Sequence, residues 1–292
     1  MQGTVDGFSY GVVTPLVAYL TACLGGALGL RCTTRSMLVA HSWRPAWLAL
    51  GSAAIGSGIW TMHFVAMMGF TVKETPIHYD MPMTYASLGL AVAMVGVGIF
   101  IVGYRGATGT ALFTGGTVTG LGIASMHYLG MAGMHLNGRF EYNTLTVAAS
   151  VVIAVVAATA ALWAAGQVRG FLWSVGASLV MGLAVSGMHY TGMAALSVHL
   201  HGTAATPSGT APASLLAPML IGPLAFLLLA GVVVMFDPLM VMGKPDGTRV
   251  EQKPGVPAAD LAPHPDRRPQ LSHGRPHVRQ PGHRGSRTPQ NR

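Results

Sequence analysis

Long apolar runs dominate the chain, and seven of them have about the 20 residues that a helix needs to cross the hydrocarbon core of a bilayer. They lie at residues 9–30, 46–70, 83–104, 110–133, 145–166, 171–196 and 214–236. Only short connections around Arg105 and Arg169 separate the third run from the fourth and the fifth from the sixth. The pattern therefore predicts an all-α membrane protein with seven transmembrane helices.

Composition supports a protein embedded in lipid. Charged residues make up 9% of the chain and hydrophobic residues 51%, whereas a soluble domain is about a quarter charged. The 39 glycines suit membrane helices that pack closely through small residues. No phosphate-binding glycine loop, Gly-x-Ser-x-Gly elbow or carboxylate pair within the spans is present. We therefore expect an integral membrane protein that is not an enzyme.

Basic residues are concentrated on one side of the predicted spans. The connections after odd-numbered spans carry basic residues and no acid, namely Arg31, Arg35, Arg44, Arg105 and Arg169. The other connections mix both signs, with Lys73, Glu74, Asp80, Arg139 and Glu141. Because cytoplasmic loops are enriched in Lys and Arg, we expect a multi-pass protein of the cytoplasmic membrane, with its N-terminus outside and its C-terminus in the cytoplasm.

The two ends of the chain fall outside the predicted membrane domain of residues 9–236. Residues 1–8 form a short extracytoplasmic N-terminus in this prediction. Residues 237–292 hold 10 of the 17 Lys and Arg and 5 of the 9 Asp and Glu, and are rich in proline without periodicity. We expect a disordered basic tail that contacts anionic lipid rather than nucleic acid.

An internal repeat appears when the even-numbered spans are aligned. Residues 56–67 read GSGIWTMHFVAM, residues 120–131 read GLGIASMHYLGM and residues 182–193 read GLAVSGMHYTGM. Each copy belongs to one helical hairpin, predicted at about 9–70, 83–133 and 145–196, with 214–236 as an additional seventh helix. Since two crossings separate successive copies, all three motifs lie toward the outer face. His63 is expected roughly 10 Å below the end of its helix.

The repeated side chains are suited to a soft metal. A residue and the one four positions later share a helix face, so each histidine pairs with a methionine. The candidate ligands are Met62, His63, Met67, Met126, His127, Met131, Met188, His189 and Met193. Imidazole binds copper, zinc or iron, and thioethers select Cu(I). Gly56, Gly120 and Gly182, two turns below the histidines, are expected to let the even-numbered helices pack together.

Two other interpretations of the motif remain open. Haem takes His/His or His/Met axial ligands, although two histidines would suffice and the third would have no role. The residues could also be packing, since methionine fills gaps in cores. Phe64, Tyr128 and Tyr190 follow the histidines and are expected at helix interfaces. Met134, His135, His78, His199 and His201 lie beyond the spans and could extend or feed the site.

The sequences MHFVAM, MHYLGM and MHYTGM on alternate helices of a seven-span chain resemble the bacterial MHYT sensor domain family. The resemblance implies an integral membrane sensor that binds copper through the motif Met and His residues and responds to oxygen, CO or NO. Redox state is a further candidate for the signal. The first copy departs from the pattern at Phe64, where the others have tyrosine. The 49 residues after Gly243 are too few and too rich in proline for an output enzyme domain. We therefore expect signalling through a separate cytoplasmic partner. The rivals are a copper transport or storage protein and a haem-binding electron carrier.

Overall fold

The computed structural model describes residues 3–7, 9–167, 170–200 and 212–237, and these residues form seven long helices. The helices are α1 (Val13–Ser36), α2 (Arg44–Met68), α3 (Met81–Arg105), α4 (Gly109–Ala132), α5 (Thr144–Ala165), α6 (Phe171–Ala194) and α7 (Pro212–Met235). Six of them are long and apolar enough to cross a membrane. The exception is α4, which is as long as α1 but is diluted by glycine and threonine. The prediction of an all-helical membrane protein is confirmed in this coarser form.

Side-chain caps fix the start of three helices. Asp80 accepts a hydrogen bond from the Met83 backbone amide at 2.7 Å at the start of α3. Asn143 does the same for Thr146 at the start of α5, at 3.0 Å. Thr108 caps α4, and such caps satisfy amides that have no partner within the helix. The boundaries agree with the apolar runs to a few residues except in α1. That helix begins at Val13, after the left-handed residue Gly11, and ends only at Ser36.

Within the described residues, six short strands that the sequence pattern did not predict connect the helices at one end of the bundle. They are β1 (Val5–Asp6), β2 (Thr71–Val72), β3 (His78–Tyr79), β4 (Met134–His135), β5 (Gly138–Tyr142) and β6 (Leu196–Leu200). They form three antiparallel two-stranded ribbons, β1 with β2, β3 with β4 and β5 with β6. Each ribbon joins the segment before one helix pair to the segment after it. The order strand, helix, helix, strand therefore occurs three times.

The first six helices form a closed ring. Each packs against its neighbours in chain order, and α6 packs back against α1. Helix α7 lies outside this ring and packs mainly against α2, with fewer contacts to α1. The backbones of α1 and α2 approach closely, since a Cβ on Gly25 would lie 2.7 Å from the Cα of Gly58. Only a side chain as small as hydrogen permits that approach.

The prediction for the glycines two turns below the histidines was wrong in one respect. They do not lie between the even-numbered helices. A Cβ on Gly56 would meet Val92 of α3, one on Gly120 would meet Val155 of α5, and one on Gly182 would meet Cys23 of α1. Helical periodicity shows which residues share a face but not which neighbour that face meets. Each glycine therefore brings an even-numbered helix against the next odd-numbered helix around the ring.

A buried ion pair joins α1 to the residue just after the end of α7, at the end of the bundle opposite the ribbons. The Arg35 Nε donates to Asp237 Oδ2 at 2.8 Å, and both side chains are about nine-tenths buried. The Arg35 guanidinium also lies over the Trp47 ring, 5.4 Å from its centroid. Arg169, His201 and the predicted tail beyond Asp237 lie outside the described residues.

Candidate functional site

Three buried histidines meet where α2, α4 and α6 converge near the ribbon end. His63, His127 and His189 each lie five residues before the last residue of their helix. All three are at most 2% exposed. Their ligand-capable atoms lie within 4.8 Å of one another. The equal depth follows from the repeat, because each motif ends its helix at the same position. We refer to these three residues as the histidine triad.

The Nδ1 atoms of the triad form a small triangle. His63 Nδ1 lies 3.0 Å from that of His189 and 3.2 Å from that of His127, and the third side is 3.4 Å. The three rings are nearly perpendicular to one another, at 78° to 89°. The same ring nitrogen of each histidine therefore points at one common position between the helices.

Hydrogen bonding alone does not account well for this triangle. In a neutral imidazole, Nδ1 either carries a proton or accepts one. One Nδ1–H can donate toward two neighbours, but those two acceptors then face each other at close range. A cation at the common position would satisfy all three lone pairs at once. The point equidistant from the three nitrogens lies about 1.9 Å from each, close to the ~2.0 Å of metal–imidazole bonds.

The outward edges of two of the rings are closed by glycine. The Nε2 atoms of His63 and His127 are buried with no hydrogen-bond partner in the described part of the chain. A Cβ on Gly130 of α4 would lie 2.7 Å from the Nε2 of His63, and one on Gly192 of α6 would meet the Nε2 of His127. Each glycine lies three residues after the histidine of its own motif. These glycines were visible in the repeat, but their role was missed.

The third ring has a different environment. His189 lines a cavity of about 270 Å³, together with Tyr190, Met193 and Ala194 of α6, Ala66, Met67 and Phe70 at the end of α2, and Val5 and Gly7 of the N-terminal segment. Ala66 occupies the position that Gly130 and Gly192 hold in the other two motifs. We refer to this space as the His189 cavity.

The methionines of the motif are buried in the same helices. Met62, Met126 and Met188 are at most 1% exposed, as are Met67 and Met131. Met193 is only partly buried and, like Met67, lines the His189 cavity. The structure thus brings the three predicted histidines together, while ligation by the six methionines stays a prediction.

The aromatic residue after each histidine packs on that histidine. The ring centroids of Phe64, Tyr128 and Tyr190 lie 4.6, 4.8 and 5.0 Å from those of their neighbouring imidazoles, edge to face. The Tyr128 hydroxyl is 2.7 Å from the Ser150 Oγ of α5. That hydroxyl therefore ties two helices together rather than pointing at the triad.

Three described histidines outside the helices, His78, His135 and His199, lie in the ribbons. His78 and His135 are exposed and opposite each other in the β3–β4 pair. His199 Nε2 lies 3.2 Å from a carboxylate oxygen of Glu141. Met134 is buried beside them. These described ribbon residues therefore lie apart from the histidine triad.

Comparisons with known proteins agree on one relationship. A family model described as the MHYT bacterial signalling protein N-terminal repeat matches residues 56–115 and 120–178. The chain is 39% identical over 192 residues to the bifunctional diguanylate cyclase/cyclic di-GMP phosphodiesterase MucR of Pseudomonas aeruginosa, covering 64% of this chain and 28% of the relative.

Two further relatives match over a similar region. The cyclic di-GMP phosphodiesterase NbdA of the same organism is 34% identical over 221 residues, 72% of this chain and 27% of the relative. The signaling protein YkoW of Bacillus subtilis is 31% identical over 198 residues, 65% of this chain and 24% of the relative. The chain thus matches only about a quarter of each of these relatives. No solved structure matches.

Proposed function

Because the chain belongs to the MHYT family of bacterial signalling proteins, we propose that it is a non-enzymatic sensor of the cytoplasmic membrane. Its sensing centre is a copper ion held by His63, His127 and His189, which responds to a diatomic gas (oxygen, CO or NO) or to redox state. The observation that carries the proposal is the triangle of buried Nδ1 atoms with sides of 3.0 to 3.4 Å.

The donor set fits Cu(I) better than the common alternatives. Three neutral imidazoles without a carboxylate suit a monovalent, weakly solvated ion in a dry interior. Zinc in a protein usually has a fourth ligand, and sites of three histidines keep an open position for water. The described residues around the triad offer no aqueous channel on the His63 and His127 sides, where glycines pack against the rings. The buried methionines of the motif would add soft donors.

The size of the triangle disfavours the haem alternative. Two axial imidazoles on opposite faces of a haem have ligand atoms about 4 Å apart, at ~2 Å per bond. The Nδ1 atoms here are 3.0 to 3.4 Å apart. A porphyrin plane would also need a slot between helices that the triad itself fills. Copper bound there would supply one-electron chemistry and a position for a small ligand.

The proposed topology has seven crossings built from three hairpin repeats and one additional helix. The repeated strand–helix–helix–strand order supports this, and so does the equal depth of the three histidines. Arg31, Arg35, Arg44 and Arg105 lie at the end of the bundle opposite the ribbons, which supports that end as cytoplasmic. A reporter fused after Asp237 should be active only in the cytoplasm, and a periplasmic reporter active at that position would contradict the orientation.

The output is proposed to pass through a separate cytoplasmic partner. The relatives' names describe cyclic di-GMP enzymes, but only about a quarter of those proteins corresponds to this chain. Binding can change the arrangement of α2, α4 and α6 only if the ligand's affinity differs between two arrangements. The triad joins those three helices directly, so a change in the distances between the three histidines would shift all three helices.

Metal analysis tests the function. We expect about one copper per chain in detergent-purified protein after loading with Cu(I), given one three-nitrogen site. A variant with His63, His127 and His189 all changed to Ala should hold none, while the matched control His78→Ala with His135→Ala, which alters only exposed ribbon histidines, should keep it. Equal copper in the triad variant and the control would reject the site. A Soret band in the parent would favour haem instead.

A further inference from the structure

Around the triad, a residue of each repeat is expected to pack on the histidine of the repeat before it, and this regular order fails at one of the three positions. Gly130 of α4 packs on His63 of α2, and Gly192 of α6 packs on His127 of α4. Continuing around the ring, the residue of α2 at the same motif position should pack on His189 of α6. That residue is Ala66. At that place the structure has the His189 cavity, lined by both Ala66 and His189.

The consequence is an asymmetric triad. Two rings have Nε2 edges covered by backbone at a glycine, where no water or ligand fits between the helices. The third ring faces a space of about 270 Å³. Metal-bound histidines normally donate their second ring N–H to a hydrogen-bonding partner. Among the three, only His189 adjoins room for such a partner to be supplied from outside the chain.

The lining of the cavity limits what can occupy it. Val5, Ala66, Phe70 and Ala194 are apolar, and among the lining residues only His189 and Tyr190 have nitrogen or oxygen in their side chains. No carboxylate, Lys or Arg is among the lining residues, so an ion would enter without a compensating charge. The volume lies below the roughly 300–1,000 Å³ of sites for drug-sized ligands. The chemistry therefore fits a small, uncharged molecule.

The N-terminal segment covers the His189 cavity at the ribbon end of the bundle. Val5 and Gly7 line it, and β1 is held by pairing with β2 immediately after α2. The Ser9 backbone amide donates to the Gly69 carbonyl at 3.0 Å. The cavity therefore lies between the last turns of α2 and α6 and a strand at the ribbon end of the bundle.

We propose that the His189 cavity is the entrance to the triad for small uncharged molecules, with His189 as the ring that they meet. The inference rests on the proposed function for its purpose, since it names the route by which a small ligand reaches the sensing centre. The cavity is formed by residues of this protein alone, so access to His189 can be tested in the metal-free protein.

Chemical modification of the metal-free protein provides the test. Diethyl pyrocarbonate is a small, uncharged reagent that modifies imidazole nitrogens, and mass spectrometry measures each histidine separately. We expect His189 to react at least about tenfold faster than His63 and His127, because close-packed interiors exclude solutes. The exposed His78 and His135 serve as internal standards for the reagent. Equal rates at the three triad histidines would overturn the proposal.

Substitutions that fill the cavity test whether the reaction takes place there. Ala66→Leu fills the space and should slow modification of His189 about tenfold. Ala132→Leu is the matched control, since Ala132 lies in the outer turn of α4 and lines a separate cleft with Tyr128 and Phe140 but no histidine. If Ala66→Leu does not fold, Ala194→Leu fills the same cavity from α6. Unchanged modification of His189 in a folded cavity-filling variant would overturn the proposal.

The outcomes separate the entrance from the proposed function. A parent protein that binds no copper but shows the expected order of modification would remove the copper function and leave the entrance in place. Copper bound by the triad, together with three equal modification rates, would leave the function and remove the entrance.

Discussion

Glycine at the third position after His127 and after His189 sets how closely a neighbouring helix approaches the triad. The repeat made these residues visible in the sequence, and it correctly singled out His63, His127 and His189 as a group. It could not show that the Nδ1 atoms converge, because a motif defines a helix face and not the rotation of that helix in the bundle. The same limitation explains why Gly130 and Gly192 were missed.

Substitution of Gly192 by Ala should disturb the triad directly. The new Cβ would meet the Nε2 of His127 and lie 3.0 Å from its Cδ2, so the ring must move. We expect copper affinity to fall by about 10- to 100-fold, the usual range for a disturbed partner of a metal-bound histidine. Competition with a Cu(I) chelator measures the change.

Gly187→Ala is the matched control for that experiment. It lies in the same helix, and no atom is within 4 Å of the position of its Cβ. Since alanine favours helix more than glycine does, this variant should be slightly stabilised, by up to about 1 kcal/mol, with unchanged copper affinity. Equal copper affinities in the two variants would show that the Gly192 contact is unimportant for the site.

At the scale of elements, the helices were predictable and the strands were not. Apolar runs of about 20 residues have few alternatives to a helix, and the seven predicted runs match seven helices with small shifts. The strands have two to five residues and lie in polar connections. Such segments carry no periodic signal, and their pairing depends on the helices that bring them together.

The first ribbon should respond to acid through Glu74. Its carboxylate accepts a hydrogen bond from the Thr4 backbone amide at 2.9 Å. Hydrogen bonding from the Thr4 side chain, and then from its backbone amide, lowers the pKa of Glu74 below its ordinary value of 4.5. A lowered pKa stabilises the folded arrangement above the ordinary value, and this contribution is lost as the pH falls through the lowered value.

We therefore expect the N-terminal strand to be held more firmly at neutral pH than in acid. Hydrogen–deuterium exchange of its amides, corrected for the intrinsic effect of pH, should show less protection below the pKa of Glu74. Glu74→Gln cannot ionise and should show the same corrected protection at both pH values. A pH effect of equal size in Glu74→Gln would assign the change to another group.

For the whole molecule, the Arg35–Asp237 ion pair attaches the end of α7 to the ring. The charge bias of the connections placed Arg35 only on the basic side of the membrane, because such a bias indicates a side and not a partner. The pair is about nine-tenths buried. A charge left alone in such a position has neither water nor a counterion, so losing one partner costs more than the pair contributes in total.

Asp237→Asn should therefore destabilise the protein by about 3 kcal/mol, as expected for breaking a buried pair. Combining it with Arg35→Gln should restore part of that loss. The exposed Arg139–Glu141 pair has the same 2.8 Å separation and provides the control. Breaking it should cost less than about 1 kcal/mol. Denaturant unfolding in detergent measures all of these variants, and equal costs for the two pairs would contradict a structural role for Asp237.

Because α6 packs against α1, the repeating unit of the ring can be defined by helix packing as well as by chain order. The family matches cover residues 56–115 and 120–178, so each runs from within an even-numbered helix through the next odd-numbered helix and into the start of the helix after it. Gly56 packs on α3 and Gly120 on α5, and Gly182 packs in the same way on α1. By packing, the third equivalent unit of the ring is α6 with α1, whose two helices lie far apart in the sequence. Removing α1 would thus leave half of a unit unpaired, and the ring would open beside His189.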